Sequence, residues 1–193
     1  MVEAVVFLGN PGTQYQRTRH NVAWLVAERI GALQFASTRD KFLGSYATVS
    51  FGGATRHVLW PQTYMNRCGE SVGRMAAFLR IAPERILVVH DELELPFGVI
   101  ALRRGGGLGG HNGLKSLRSA LTTADFLRLR VGISRPKHGN VSSYVLSRFG
   151  PDEAAVLEPV LDAAARTVER CAAASTEAAL TALFDEYRRL EVL

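Results

Sequence analysis

Ile86-Leu87-Val88-Val89-His90, followed by Asp91-Glu92-Leu93-Glu94-Leu95, decides the fold class. Four aliphatic residues in a row, without polar alternation, read as a strand buried on both faces, as in the parallel part of an α/β sheet. The acidic run then lies beyond the carboxyl end of that strand. Upstream, Gly69–Leu79 is predicted to be a helix that ends before Pro83. Val2–Leu8 is a second short apolar strand. It leads into Asn10-Pro11-Gly12, a turn in which Pro presets φ and Gly accepts a positive φ. Thr18–Gly31 is predicted as a helix with Val22, Leu25, Val26 and Ile30 on one face and Gly31 as its stop. Tyr46–Phe51 and Thr55–Leu59 are expected to pair as a hairpin around Gly52-Gly53, before a polar loop from Pro61 to Asn66.

Downstream, Val99–Arg103 reads as a further strand and Gly105–Gly113 as a glycine-rich loop. Leu114–Leu121 reads as a helix with Asn112 near its start as a cap. Leu127–Ile133 alternates Leu and Arg, a strand with one polar face. Val141–Phe149 is a short element. From about residue 151 the chain turns Ala-rich and amphipathic: Asp152–Ala174 is predicted to be a helix kinked at Pro159, and Thr176–Arg189 a final helix. Strands alternating with helices indicate one α/β domain over residues 1–193, with a mostly parallel or mixed sheet.

Bulk composition narrows the partners. A hydrophobic fraction of 47% supports an ordinary core, and a net charge of +5 suits a polyanionic partner without singling one out. Cys68 and Cys171 are too few and too far apart for a disulfide framework or a zinc site, which fits a reducing compartment. Neither a signal-peptide pattern nor an apolar run approaching the ~20 residues of a membrane span is visible, so the expectation is a cytoplasmic protein with no membrane partner.

Two residues carry the candidate chemistry. His20, in Thr18-Arg19-His20-Asn21, follows the first strand and turn, and imidazole is the side chain best suited to proton transfer near neutral pH. Asp91 follows the apolar strand and could hold the imidazole's tautomer. Either residue would equally serve as an ordinary turn or capping group. There is no Gly-x-Ser-x-Gly nucleophile elbow and no His-x-x-x-His metal pattern. A His–Asp pair without nucleophile or metal suits direct attack by water. Asn10, Asn66 and Asn112 stand beside tight turns, where a carboxamide can read a peptide group or face an oxyanion. Gly105–Gly110 formally contains G-x-G-x-x-G. It does not follow the first strand, and Arg103-Arg104 precede it, so a gate or a close backbone contact explains the glycines as well as a dinucleotide would. Arg103 and Arg130 could grip a phosphate if they share a sheet face, and Tyr15 and Tyr64 could stack on bases or ribose.

Together these segments resemble the bacterial-type peptidyl-tRNA hydrolase family. The matching stretches are Leu8–Gly12 with Tyr15 and Thr18–Asn21; Pro61–Asn66 with Gly69; His90–Leu93 with Leu95, Pro96 and Gly98; Gly105–Leu114; and Arg128–Ile133, in family order over residues 2 to 149. The resemblance implies a mixed twisted β-sheet surrounded by α-helices, a monomer, no metal and no cofactor. It makes His20 the general base, Asp91 the residue that holds it, and Asn10 the discriminator of peptidyl from aminoacyl esters. It assigns Tyr15, Asn21, Tyr64, Met65, Asn66 and Asn112 to the tRNA 3′ end and peptide, and Arg103 and Arg130 to the acceptor stem's 5′ phosphate. Phe7, Ala23, Trp60, Cys68 and Phe97 depart from the usual family residues. Loss of a Lys at Trp60 would alter tRNA affinity, and Cys68 would make the loop after Asn66 oxidisable. Three other readings compete: a catalytically silent RNA-binding relative, a nucleotide-dependent oxidoreductase and a general small-ester hydrolase.

Overall fold

The computed structural model describes residues 1–193. The elements run β1 (Ala4–Phe7), α1 (Val22–Ala27), α2 (Gly31–Gln34), β2 (Arg39–Lys41), β3 (Gly44–Phe51), β4 (Ala54–Pro61), α3 (Cys68–Leu79), β5 (Ile86–Glu92), β6 (Val99–Arg104), α4 (Asn112–Leu121), β7 (Leu127–Gly132), α5 (Val141–Val145), α6 (Pro151–Ala173), α7 (Glu177–Glu186) and β8 (Leu190–Glu191). They form one eight-stranded sheet in the order β2-β3-β4-β1-β5-β7-β6-β8. β4, β1, β5 and β7 run parallel, while β2 and β3 on one side and β6 and β8 on the other pair antiparallel. The sheet is therefore mixed, with its parallel part at the centre, where β1 and β5 are buried along their whole length.

The period of two along these strands divides the core. Val5, Phe7, Leu87 and Val89 pack with α1, α6 and α7; Ala4, Val6, Ile86 and Val88 pack with α3 and α4. α3 and α4 approach closely at Gly69, where a Cβ would lie 2.1 Å from the Ser116 carbonyl oxygen; the Gly69 N–H instead donates to Ser116 Oγ. The chain passes from β1 to β4 on one side and then to β5 on the other. A crevice opens at such a reversal, outside the carboxyl ends of the strands.

The helix expected over Thr18–Gly31 is broken. A single turn at Arg19–Asn21 precedes α1, Ile30 is extended, and Gly31 starts α2 instead of ending a helix. The reason is tertiary: the Arg19 N–H donates to Ser147 O, and the Asn21 side chain is spent on Asn10. Pro159 lies inside α6, which runs unbroken through it; the carbonyl it leaves free belongs to exposed Ala155, open to water. The cap of α4 is His111, not Asn112.

Candidate active site

The turn after β1 is fixed by Asn21. Its Oδ1 accepts the Asn10 N–H and its Nδ2 donates to the Asn10 carbonyl, both at 2.9 Å. Expected among the substrate contacts, Asn21 is fully buried with its amide committed to this loop, so it positions Asn10 and touches nothing in the cleft. On its other side, Arg19 donates to Ser147 Oγ and Arg148 O, pairs with Glu153 and lies 4.2 Å from the Tyr144 ring centroid. The same turn is thereby tied to α5.

Asp91, 2% exposed, is the hub. Its Oδ1 accepts from His20 Nδ1 and from His111 Nε2, each at 2.9 Å. His111 Nδ1 in turn accepts the backbone N–H groups of Gly113 and Leu114 at 3.1 and 3.3 Å, which leaves the ring's proton on Nε2. His20 and His111 have ring centroids 5.0 Å apart. Burial works to raise the Asp91 pKa, but the two imidazoles outweigh it and hold the carboxyl far below its ordinary range. Burial alone would lower the His20 pKa; the Asp91 charge and hydrogen bond reverse that and raise it above 6.5. His90 behaves oppositely. Fully buried, it contacts the Asp91 carbonyl through Nδ1 at 2.7 Å; burial first, then His111 and Arg128, drive its pKa far below 6.5.

A cleft of about 760 Å³ covers this hub. Of the residues expected from sequence, Asn10, Tyr15, His20, Tyr64, Met65, Asn66, Asp91 and Asn112 line it. Asn10 Oδ1 accepts the Met65 N–H at 2.7 Å, so the remaining face of its amide, Nδ2, is a donor available to the cleft. Asn66 and Asn112 are exposed, and their side chains make no protein hydrogen bond. Three parts of the site were missed in the sequence: His111, Glu92, and the wall formed by Val141, Val145 and Leu146. A His one residue ahead of the predicted cap Asn112 was the available signal for the first; nothing in the α5 stretch marked it as a wall.

The sequence model of the Peptidyl-tRNA hydrolase family matches residues 4–189. This chain belongs to that family. It is 46% identical to the peptidyl-tRNA hydrolase of Treponema pallidum over 100% of this chain and 97% of that one, and 47% identical to that of Halorhodospira halophila over 84% and 86%. The crystal structure of peptidyl-tRNA hydrolase from Acinetobacter baumannii superposes with a TM-score of 0.85 at 33% identity, covering 97% of this chain and 94% of that one.

Within this member of the peptidyl-tRNA hydrolase family, two departures pack against each other: Phe7 stacks on Trp60, centroids 5.6 Å apart. Trp60 does not line the cleft. Cys68 is fully buried and burial pushes its thiol up to about 12, which contradicts the expectation of an oxidisable loop, since the reactive thiolate is suppressed. Arg103 and Arg130 do share a sheet face, since the antiparallel register sets Arg103 opposite Arg128 and Ala101 opposite Arg130. They are not equivalent: Arg130 pairs with Glu92 at 2.9 Å, whereas Arg103 is exposed and has no carboxylate partner. The glycine run follows β6, which is antiparallel to β7, so it opens no parallel β-α-β unit of the dinucleotide-binding kind.

His20, Asp91 and His111 place three ligand atoms within 4.8 Å of one another, a spacing a metal ion could use. The protons argue against that fit. His111 would have to give up the Nε2 proton, and its Nδ1 cannot receive it while accepting two backbone N–H groups. No helix is long and apolar enough to cross a membrane.

Proposed function

We propose that this chain hydrolyses the ester joining a peptide to the terminal ribose of tRNA, in the cytoplasm and as a monomer, with His20 as the general base. One observation carries the reading: Asp91 engages His20 through Nδ1, leaving Nε2 without a protein partner in a cleft that also presents three carboxamides. Water held at Nε2 attacks the ester carbonyl carbon as its proton passes to the imidazole. Asp91 stabilises the imidazolium that forms. The tetrahedral intermediate then collapses, the carbon–oxygen bond to ribose breaks, and the imidazolium returns the proton to the leaving oxygen. The bond is an activated ester, so acid–base assistance worth about 10²–10⁴-fold and oriented amide donors suffice without a covalent intermediate.

Selectivity follows from the orientation of Asn10. Its Nδ2–H can donate to a peptide carbonyl. A free aminoacyl ester offers an ammonium there, which has only donors, so the two groups cannot pair. Tyr15, Tyr64, Met65, Asn66 and Asn112 face the 3′ end and the peptide, while Arg103 and Arg130 meet the phosphate of the acceptor stem. Nothing favours the catalytically silent RNA-binding reading, since His20 and Asp91 are hydrogen-bonded and Asn10 lines the same cleft. The test is release of the acyl group from N-acetylaminoacyl-tRNA beside unblocked aminoacyl-tRNA: rapid release from the first and little from the second is expected. Equal release from both, or from neither, contradicts the proposal.

A further inference from the structure

The sheet face next to the cleft buries a cation that the proposed reaction does not use. Arg128, on the interior strand β7, is 1% exposed. It makes no ion pair: the nearby Glu92 pairs with Arg130, and the Nε of Arg128 has no partner. Burial, then Arg103 and Arg130, push its pKa down to about 10, which still leaves it charged at neutral pH. Burying an unpaired charge is costly, so packing alone does not account for an arginine here.

The guanidinium is spent on the glycine loop. Its two terminal nitrogens donate to the carbonyls of Gly105 and of Gly107, the latter at 3.0 Å. The loop has no regular structure between Arg104 and Asn112, and Gly105 and Gly106 have φ of 55° and 88°. Its own backbone bonds lie only at the ends: Gly105 N–H to Phe126 O on entry and His111 N–H to Leu108 O on exit. The Arg128 fork holds the middle. Leu108, directly after the fixed Gly107, accepts the His111 N–H at 2.9 Å, and His111 donates to Asp91. On the other side, a Cβ at Gly106 would come within 2.6 Å of Arg103 Nε, so the loop is wedged between two arginines.

We propose that Arg128 is a positioning residue for the hydrolysis: by gripping the Gly105 and Gly107 carbonyls it sets where His111 and Asn112 stand at the cleft. The inference rests on the hydrolase reading above. Arginine's planar fork reaches two carbonyls in fixed geometry, which a lysine ammonium does not reproduce. A loop displaced by about 1 Å can cost up to about 10²-fold in rate.

The experiment compares wild type, Arg128→Lys, Arg128→Met and Arg103→Glu on N-acetylaminoacyl-tRNA, with folding checked by cooperative melting. In Arg128→Met we expect kcat to fall at least about tenfold with KM within about threefold, with partial recovery in Arg128→Lys. Arg103→Glu should instead act first on KM, raising it by more than either Arg128 variant does, because a phosphate contact is lost. Amide resonances from Gly105 to Leu114 should shift in both Arg128 variants. Folded variants with wild-type kcat, or with a loss confined to KM, would overturn the proposal. So would failure of both variants to fold, which would make Arg128 a residue of the fold. Wild type that releases nothing removes the hydrolase reading, and this inference with it, an outcome separate from any variant's behaviour.

Discussion

Asp91 and Arg128 are both charged, both buried, and on adjacent strands, but their charges are met differently. Asp91 is met by two imidazole N–H groups, one from His20 and one from His111. Arg128 is met by two glycine carbonyls and no anion. The first arrangement can move a proton, because one of its imidazoles keeps a bare nitrogen in the cleft. The second cannot titrate near neutrality and can only hold a loop. On the proposed mechanism, buried charge serves chemistry at β5 and geometry at β7, and the loop that carries His111 joins them.

The largest effect that could break this contrast belongs to His20→Ala. Cleavage of N-acetylaminoacyl-tRNA should fall by about 10²–10⁴-fold with the melting transition retained; most activity surviving would remove His20 as the base. Next comes His111→Ala, which takes one of two donors from Asp91 and uncaps α4. A loss of about 1 kcal/mol in melting experiments, typical of a removed cap, should accompany a smaller fall in rate than that of His20→Ala. An unchanged rate would confine His111 to the fold. Arg103→Glu sharpens the β7 side: tRNA binding should weaken and its log–log dependence on salt should flatten by roughly one to two contacts' worth of slope. An unaltered slope would reject the phosphate contact. The smallest effect is expected at the cysteines. Both are buried with thiols pushed up to about 12, so alkylation of the folded protein at neutral pH should be slow until denaturant is added.

The centre of the sheet was legible because its signal is local. Ile86–His90 and Val2–Leu8 are apolar runs buried on both faces, and the Gly52-Gly53 hairpin carries its own turn chemistry. The edge strands β2 and β8 were not legible: Arg-Asp-Lys and Leu-Glu have no period, and each exists only because a neighbour offers an open edge. The Thr18–Gly31 helix was misread because its apolar face is real while its first turn is claimed by distant partners, Asn10 and Ser147. In the cleft, His20, Asp91 and the asparagines stood out by residue type and by the family pattern. His111 did not, because a capping side chain directly after a glycine run looks like punctuation until the fold brings Asp91 to it. Asn21 shows the reverse: a polar residue beside the proposed base whose amide serves the loop.

The pH dependence of kcat/KM for wild type beside Asp91→Asn tests the central claim most directly. On the proposed mechanism the neutral imidazole is the active form, and Asp91 raises the His20 pKa, so wild-type activity should fall as pH drops through a midpoint above 6.5. In Asp91→Asn the raising influence is gone and burial remains. The midpoint should move down while the plateau rate drops, by up to about 10⁴-fold where tautomer control is lost. An identical midpoint and plateau in the two proteins would contradict the His20–Asp91 couple as the base.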